Sequence, residues 1–190
     1  MVGRLEPSKG FDYALRAIAR VRGASPDLTL NVVGVGRDDE FLRQLAIELE
    51  IDPFVKFHGR LDHVKTLELI ATSTRIVVPS TAYEGFSLVA LEAAFLERPV
   101  VATKVGGLPE TVVNGITGTI VESGNESQLA EAIGHYLSNP DIAREHGQNA
   151  RQRALVEFTL DRMAGEINEI HVNALTAPSS NMLAIDSHRE

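Results

Sequence analysis

The sequence contains no cysteine. Thiol nucleophiles, cysteine-based zinc sites and disulfides are therefore excluded, and a cytoplasmic location is compatible with that. Long hydrophobic runs are also missing. None approaches the roughly 18 residues that a bilayer-spanning helix needs, so no integral membrane segment is predicted. Cations are in deficit: 18 Lys and Arg stand against 26 Asp and Glu, a formal net charge of −8. No stretch concentrates the basic residues, which argues against nucleic acid or an anionic membrane as the main partner. A small anion held by two or three well-placed cations remains compatible. The opening MVGRLEPSKG has neither the basic n-region nor the apolar h-region of a signal peptide. No spacing of His and acidic residues resembles a metal site, so no metal is expected.

What is present is a globular composition, 44% hydrophobic over 190 residues, enough for one ordinary domain with a sizeable core. Short apolar runs at 28–34, 54–59, 75–80, 98–103 and 118–122 alternate with helical patterns near 11–22, 40–49, 64–71, 87–96 and 128–137. Val- and Ile-rich runs without polar alternation predict strands buried on both faces. With helices between them, they predict an α/β fold with a doubly wound, Rossmann-like parallel sheet. Met1 and Val2 run straight into a strand-to-loop pattern, so the first strand is expected to be clipped. Helical patterns follow at 146–156 and from Leu160 to about His171, closing a domain over 1–174, and 175–190 reads as a mobile tail. Ligands of such sheets bind at the carboxyl ends of the strands, so the loops there carry the candidate chemistry.

The first loop, GRLEPSKGF, puts Arg4 and Lys9 near a helix start. A cation there opposes the helix dipole unless an anion neutralises it, and a forked Arg with a point-charge Lys suits a diphosphate. Solvated surface residues are the competing reading. The second loop, VVGVGRDDEF, lacks the third glycine of a dinucleotide fingerprint, because Asp39 stands in its place. Asp38 and Glu40 beside it would repel a pyrophosphate, so a tight turn is favoured over an NAD site. In the third loop, His58, Gly59 and Arg60 end a strand, and a plain strand-end histidine is the stronger reading of His58. His63 is assigned to a helix N-terminal turn without a functional role. The fifth loop, TKVGGLPETVVNG, could bring backbone amides to a ligand or form an ordinary turn.

The fourth loop is the most informative. Glu84 and Glu92 bracket Gly85, Phe86 and Ser87 in YEGFSLVALEAAF, and a carboxylate inside so apolar a run is costly without a partner. Ser87 is a plausible N-cap for a helix beginning at Leu88. The amides of Gly85, Phe86, Ser87 and Leu88 would then form an anion site. The rise from Ser87 to Glu92 is roughly 7–8 Å, comparable to the step from a phosphate to a ribose. Glu92 can thus accept from a ribose diol, and Glu84 from a sugar beyond the diphosphate. The competing reading has Glu92 on a wet stripe and Glu84 decorating a loop.

Taken in order, VGRLEPSKGF, VVGVG, FHG, PSTAYEGFSLVALEAA and RPVVATKVGGLPETVVNGITG resemble the C-terminal, donor-binding domain of retaining GT-B-fold glycosyltransferases over roughly Val2 to His171. The resemblance implies a nucleotide-diphosphate sugar as donor substrate, with no further cofactor and no metal. It implies that Arg4 and Lys9 bind the diphosphate and that Glu84 contacts the donor sugar. Gly85, Phe86, Ser87 and Leu88 would supply the helix-start amides. Glu92 would hold the ribose, and the segment from His58 to Arg60 would line the base pocket. Glu97 and Arg98 replace the small residues often seen before the Pro-Val-Val strand. The family's enzymes carry a second, acceptor-binding domain that nothing in this sequence matches. Donor recognition without efficient transfer is therefore expected unless an acceptor domain or partner chain completes the cleft. Any membrane association would come through that half. A non-catalytic binding module on the same fold is the main alternative, and an NAD(P)-dependent oxidoreductase the weaker one.

Overall fold

A computed structural model of the chain describes residues 1–23 and 25–176. The chain falls into two compact units, Met1–Ala154 and the part from Leu155 onward. In the first unit, α1 (Phe11–Arg22), β1 (Leu30–Val33), α2 (Asp39–Glu48), β2 (Val55–Gly59) and α3 (His63–Thr72) come first. They are followed by β3 (Ile76–Val78), α4 (Leu88–Phe95), β4 (Val100–Thr103), the short α5 (Leu108–Thr111), β5 (Gly118–Val121) and α6 (Glu126–Ser138). A long helix, α7 (Pro140–Glu157), reaches the second unit, which contains α8 (Leu160–Thr176). Of the expected tail, residues from 177 lie outside the described part of the chain.

All strand pairs are parallel, as the buried apolar runs predict, but the strands form two sets rather than one continuous sheet. β1 pairs with β2, and β4 lies between β3 and β5. The first segment contributes a single bridged residue, Val2, opposite Val33. Its neighbours extend that edge: the Met1 amine donates to the Asn31 carbonyl at 2.7 Å, and the Gly3 amide donates to the Val33 carbonyl at 3.0 Å.

The period of two along a strand sorts the buried residues to opposite faces. Val77, Val101 and Val121 join Phe11, Leu15, Ile18, Leu129 and Ile133 in one core. Ile76, Val78, Val100 and Ala102 join Ile70, Ala90, Ala93 and Leu108 in the other. Helices thus cover both faces, which is the doubly wound arrangement. The apolar α4 buries small residues, Ala90, Ala93 and Ala94. Their size lets the helix lie close to β3 and β4 and carry its N-terminus to the carboxyl ends of the strands.

Candidate functional site

Two loops at the carboxyl ends of the strands, the first and the fourth, converge on a cavity of about 210 Å³ whose lining includes Arg4, Lys9, Ser80, Glu84 and Ser87. The convergence has a local cause in each loop. After Gly3 the chain makes a 3-10 turn over Pro7–Lys9, and Gly10 then takes φ 63°, which restarts the chain as α1. That turn is pinned to the fourth loop. The Thr81 amide donates to the Ser8 carbonyl at 2.9 Å, and the Thr81 hydroxyl donates to the Pro7 carbonyl at 3.0 Å. A Cβ on Gly10 would sit 2.1 Å from the Pro79 carbonyl oxygen, so only glycine allows this approach.

The charges interlock across the two loops. Lys9 Nζ lies 3.1 Å from Glu84 Oε1, with both side chains largely withdrawn from solvent. Ser80, buried, donates its hydroxyl to Glu84 Oε2 at 2.5 Å and is itself held where the Thr103 hydroxyl donates to its carbonyl, also at 2.5 Å. Lys9, beside a helix start, needs an anion to offset its charge, and Glu84 supplies one from within the chain. Arg4 sits at the cavity's wet rim, its side chain 72% exposed and 3.1 Å from Glu6.

Two glycine pairs clamp the backbone of these loops. A Cβ on Gly34 or Gly36 would meet the Gly3 or Leu5 carbonyl oxygen at 1.8 and 2.2 Å. A Cβ on Gly106 or Gly107 would meet the Glu84 or Gly85 carbonyl oxygen at 1.9 and 2.1 Å, and the Gly107 amide donates to the Glu84 carbonyl at 2.7 Å. The Gly-x-Gly of the second loop therefore serves a close backbone approach. The fifth loop, open between two readings in the sequence, fixes the peptide that carries Glu84.

Ser87 is the N-cap of α4, as its position before the apolar run predicts; its hydroxyl accepts from the Ala90 amide at 3.3 Å. Gly85, Phe86 and Leu88 are exposed around this helix start. Glu92, half-buried one turn on, is 2.9 Å from His63 Nε2 at the first turn of α3. His58 turns to Asn31, with its Nε2 2.8 Å from the Asn31 side-chain oxygen, rather than to the cavity. Arg60 is exposed after β2. The cavity thus unites Arg4, Lys9, Glu84 and Ser87, while Glu92, His58 and Arg60 lie outside its lining. The sequence pairs none of Ser80, Gly106, Gly107 and His63 with the partners found here, which lie between 4 and 29 positions away with no pattern to mark them. Among the described residues, no cluster of three or more His and acidic side chains is placed to hold a metal, and no helix is long and apolar enough to cross a membrane.

Parallel strands wrapped by helices on both faces, with charged loops at their carboxyl ends, define a Rossmann-like domain, and solved structures identify it as one of the GT-B glycosyltransferase type. HepE from Anabaena, in complex with UDP, superposes with a TM-score of 0.82 at 28% identity, covering 90% of this chain and 48% of that one. The C-terminal domain of the glycosyl transferase group 1 family protein LpcC from Francisella tularensis gives 0.75 at 26% identity, covering 84% and 85% of the two chains. Residues 1–153 match the glycosyl transferases group 1 family, and the chain belongs to it. A glycogen synthase of Mycobacterium tuberculosis is 36% identical over 173 residues, 91% of this chain and 42% of that protein. The chain spans less than half the length of the curated relatives it matches.

Proposed function

We propose that this chain binds a nucleoside-diphosphate sugar and supplies the donor half of a retaining, metal-independent hexosyl transfer. The observation that carries the reading is the cavity where Lys9, Arg4, Glu84 and the start of α4 meet. Its volume, about 210 Å³, is below the roughly 300–1,000 Å³ of sites that engulf a drug-sized ligand. It therefore suits one part of a donor, the diphosphate, with sugar and nucleoside extending to either side. Lys9, Arg4 and the helix-start amides stabilise the charge that gathers on the departing nucleoside diphosphate, which is electrostatic stabilisation of the transition state. Glu84, already oriented by Ser80, accepts hydroxyls of the sugar. Glu92 accepts the ribose diol on the other side. The UDP held by HepE supports a nucleotide ligand at this fold. An acceptor-binding domain or partner chain completes the cleft, and without it transfer is inefficient.

Calorimetric titration with UDP, GDP, ADP and their hexose conjugates tests this. At least one should bind, and Lys9→Ala should weaken it about 10- to 150-fold, the value of one charge-assisted hydrogen bond at roughly 1.5–3 kcal/mol. Absence of binding by all of them removes the proposal.

A further inference from the structure

Glu92 has a protein partner that the donor-site reading does not assign. It is the one acid inside the apolar α4, and its Oε1 lies 2.9 Å from His63 Nε2. A carboxylate has no hydrogen to give, so the contact requires Nε2–H, and the imidazole donates. The two residues are 29 positions apart and come from the first turn of α3 and the middle of α4. Asp62, the N-cap of α3, accepts from the Lys65 amide at 2.9 Å. The turn that carries His63 is therefore fixed by its own capping bond.

Taking the donor-site reading as its basis, we infer that His63 is the positioning residue of the ribose site. It holds one oxygen of Glu92 and presents the other, Oε2, to the diol. Side-chain freedom gives the pair its value to a ligand. A glutamate on a helix has three rotatable bonds, and ordering such a side chain on binding costs conformational entropy. A carboxylate already tied at Oε1 enters the complex with that freedom largely lost. His63 is 69% exposed and Glu92 26% exposed, so the pair lies at the protein surface, where a ligand reaches it. A pair that only stitched α3 to α4 would affect stability and have no preference between ligands.

The experiment compares nucleoside diphosphate and its 2′,3′-dideoxy analogue on the full chain, using whichever base the wild type binds. The variants are His63→Ala, His63→Gln and Glu92→Gln, with thermal unfolding recorded in parallel. The wild type should prefer the ribo form. His63→Ala should lose about 3- to 10-fold in affinity for the ribo form, leave the dideoxy form unchanged and so compress the ratio. His63→Gln, which keeps an N–H donor, should restore part of it. A shift in melting temperature with the ratio unchanged, or tighter ribo binding by His63→Ala, overturns the inference while leaving the donor-site reading intact. No ratio in the wild type, or none lost in Glu92→Gln, overturns the ribose assignment and this inference with it. No nucleotide binding at all overturns the donor-site reading too.

Discussion

Tyr136, buried, and His146, half-buried, form a polar pair whose setting predicts a pH-dependent contribution to stability. The Tyr136 side chain is fully buried, accepts from the Thr119 hydroxyl at 3.2 Å, and donates to His146 Nδ1 at 2.7 Å. Burial pushes the phenol up and the imidazole down from their ordinary values; for His146, Glu145 opposes the shift and His135 adds to it. A depressed imidazole in the folded state means that the unfolded chain takes the proton first as pH falls. Its stabilising contribution is therefore complete above the unfolded value of about 6.5 and declines as pH drops through the window beneath it. Protonation also removes the acceptor that Tyr136 uses. The melting temperature of the wild type should fall between pH 7.5 and 5.5 more steeply than that of His146→Gln. Parallel profiles would show that the pair contributes nothing to the acid limb. This pair was not visible in the sequence, where neither residue belongs to a motif. Lys9 and Glu84 were both visible. Their pairing was not, because the sequence shows each charge without the 3-10 turn that brings them to 3.1 Å.

The elements were largely legible because local chemistry and tertiary burial agree. The Val- and Ile-rich runs became strands covered on both faces, and Ser87 capped α4 where its hydroxyl could reach the Ala90 amide. The loops were legible as loops, but the reason for their glycines was not. Gly106 and Gly107 face the backbone of residues 84–85, and Gly34 and Gly36 face the backbone of residues 3–5, across separations that no periodicity marks. The cost of a side chain there is steric. Gly107 has an ordinary φ of −82°, yet a Cβ would stand 2.1 Å from the Gly85 oxygen. Gly107→Ala should destabilise the domain by about 1–3 kcal/mol through overpacking, and nucleotide affinity should fall with it. Gly23→Ala is the control: φ is −59° and nothing lies within 4 Å, so the domain should not be destabilised and titration should be unchanged. Equal effects from the two variants would refute the clamp.

At the scale of the whole chain, the two units differ in how they are built. The first has two apolar cores on opposite faces of its strands. The second contains α8, in which no residue is buried and Leu160, Met163, Ile167, Ile170 and Leu175 are exposed. A chain ending at Phe158 should therefore keep its cooperative unfolding and its nucleotide affinity within about twofold, as differential scanning calorimetry and titration would show. Loss of either would place part of the site's support beyond α7. The glycine clamps carry a consequence for anyone reading variation in this family. Gly36 and Gly107 present no side chain to a ligand, yet their replacement should look in an activity screen like damage to a contact residue. Within this chain, loops one and four are constrained in the same way. Each is matched to the glycine pair packed on it, so a loop and its clamp act as one piece.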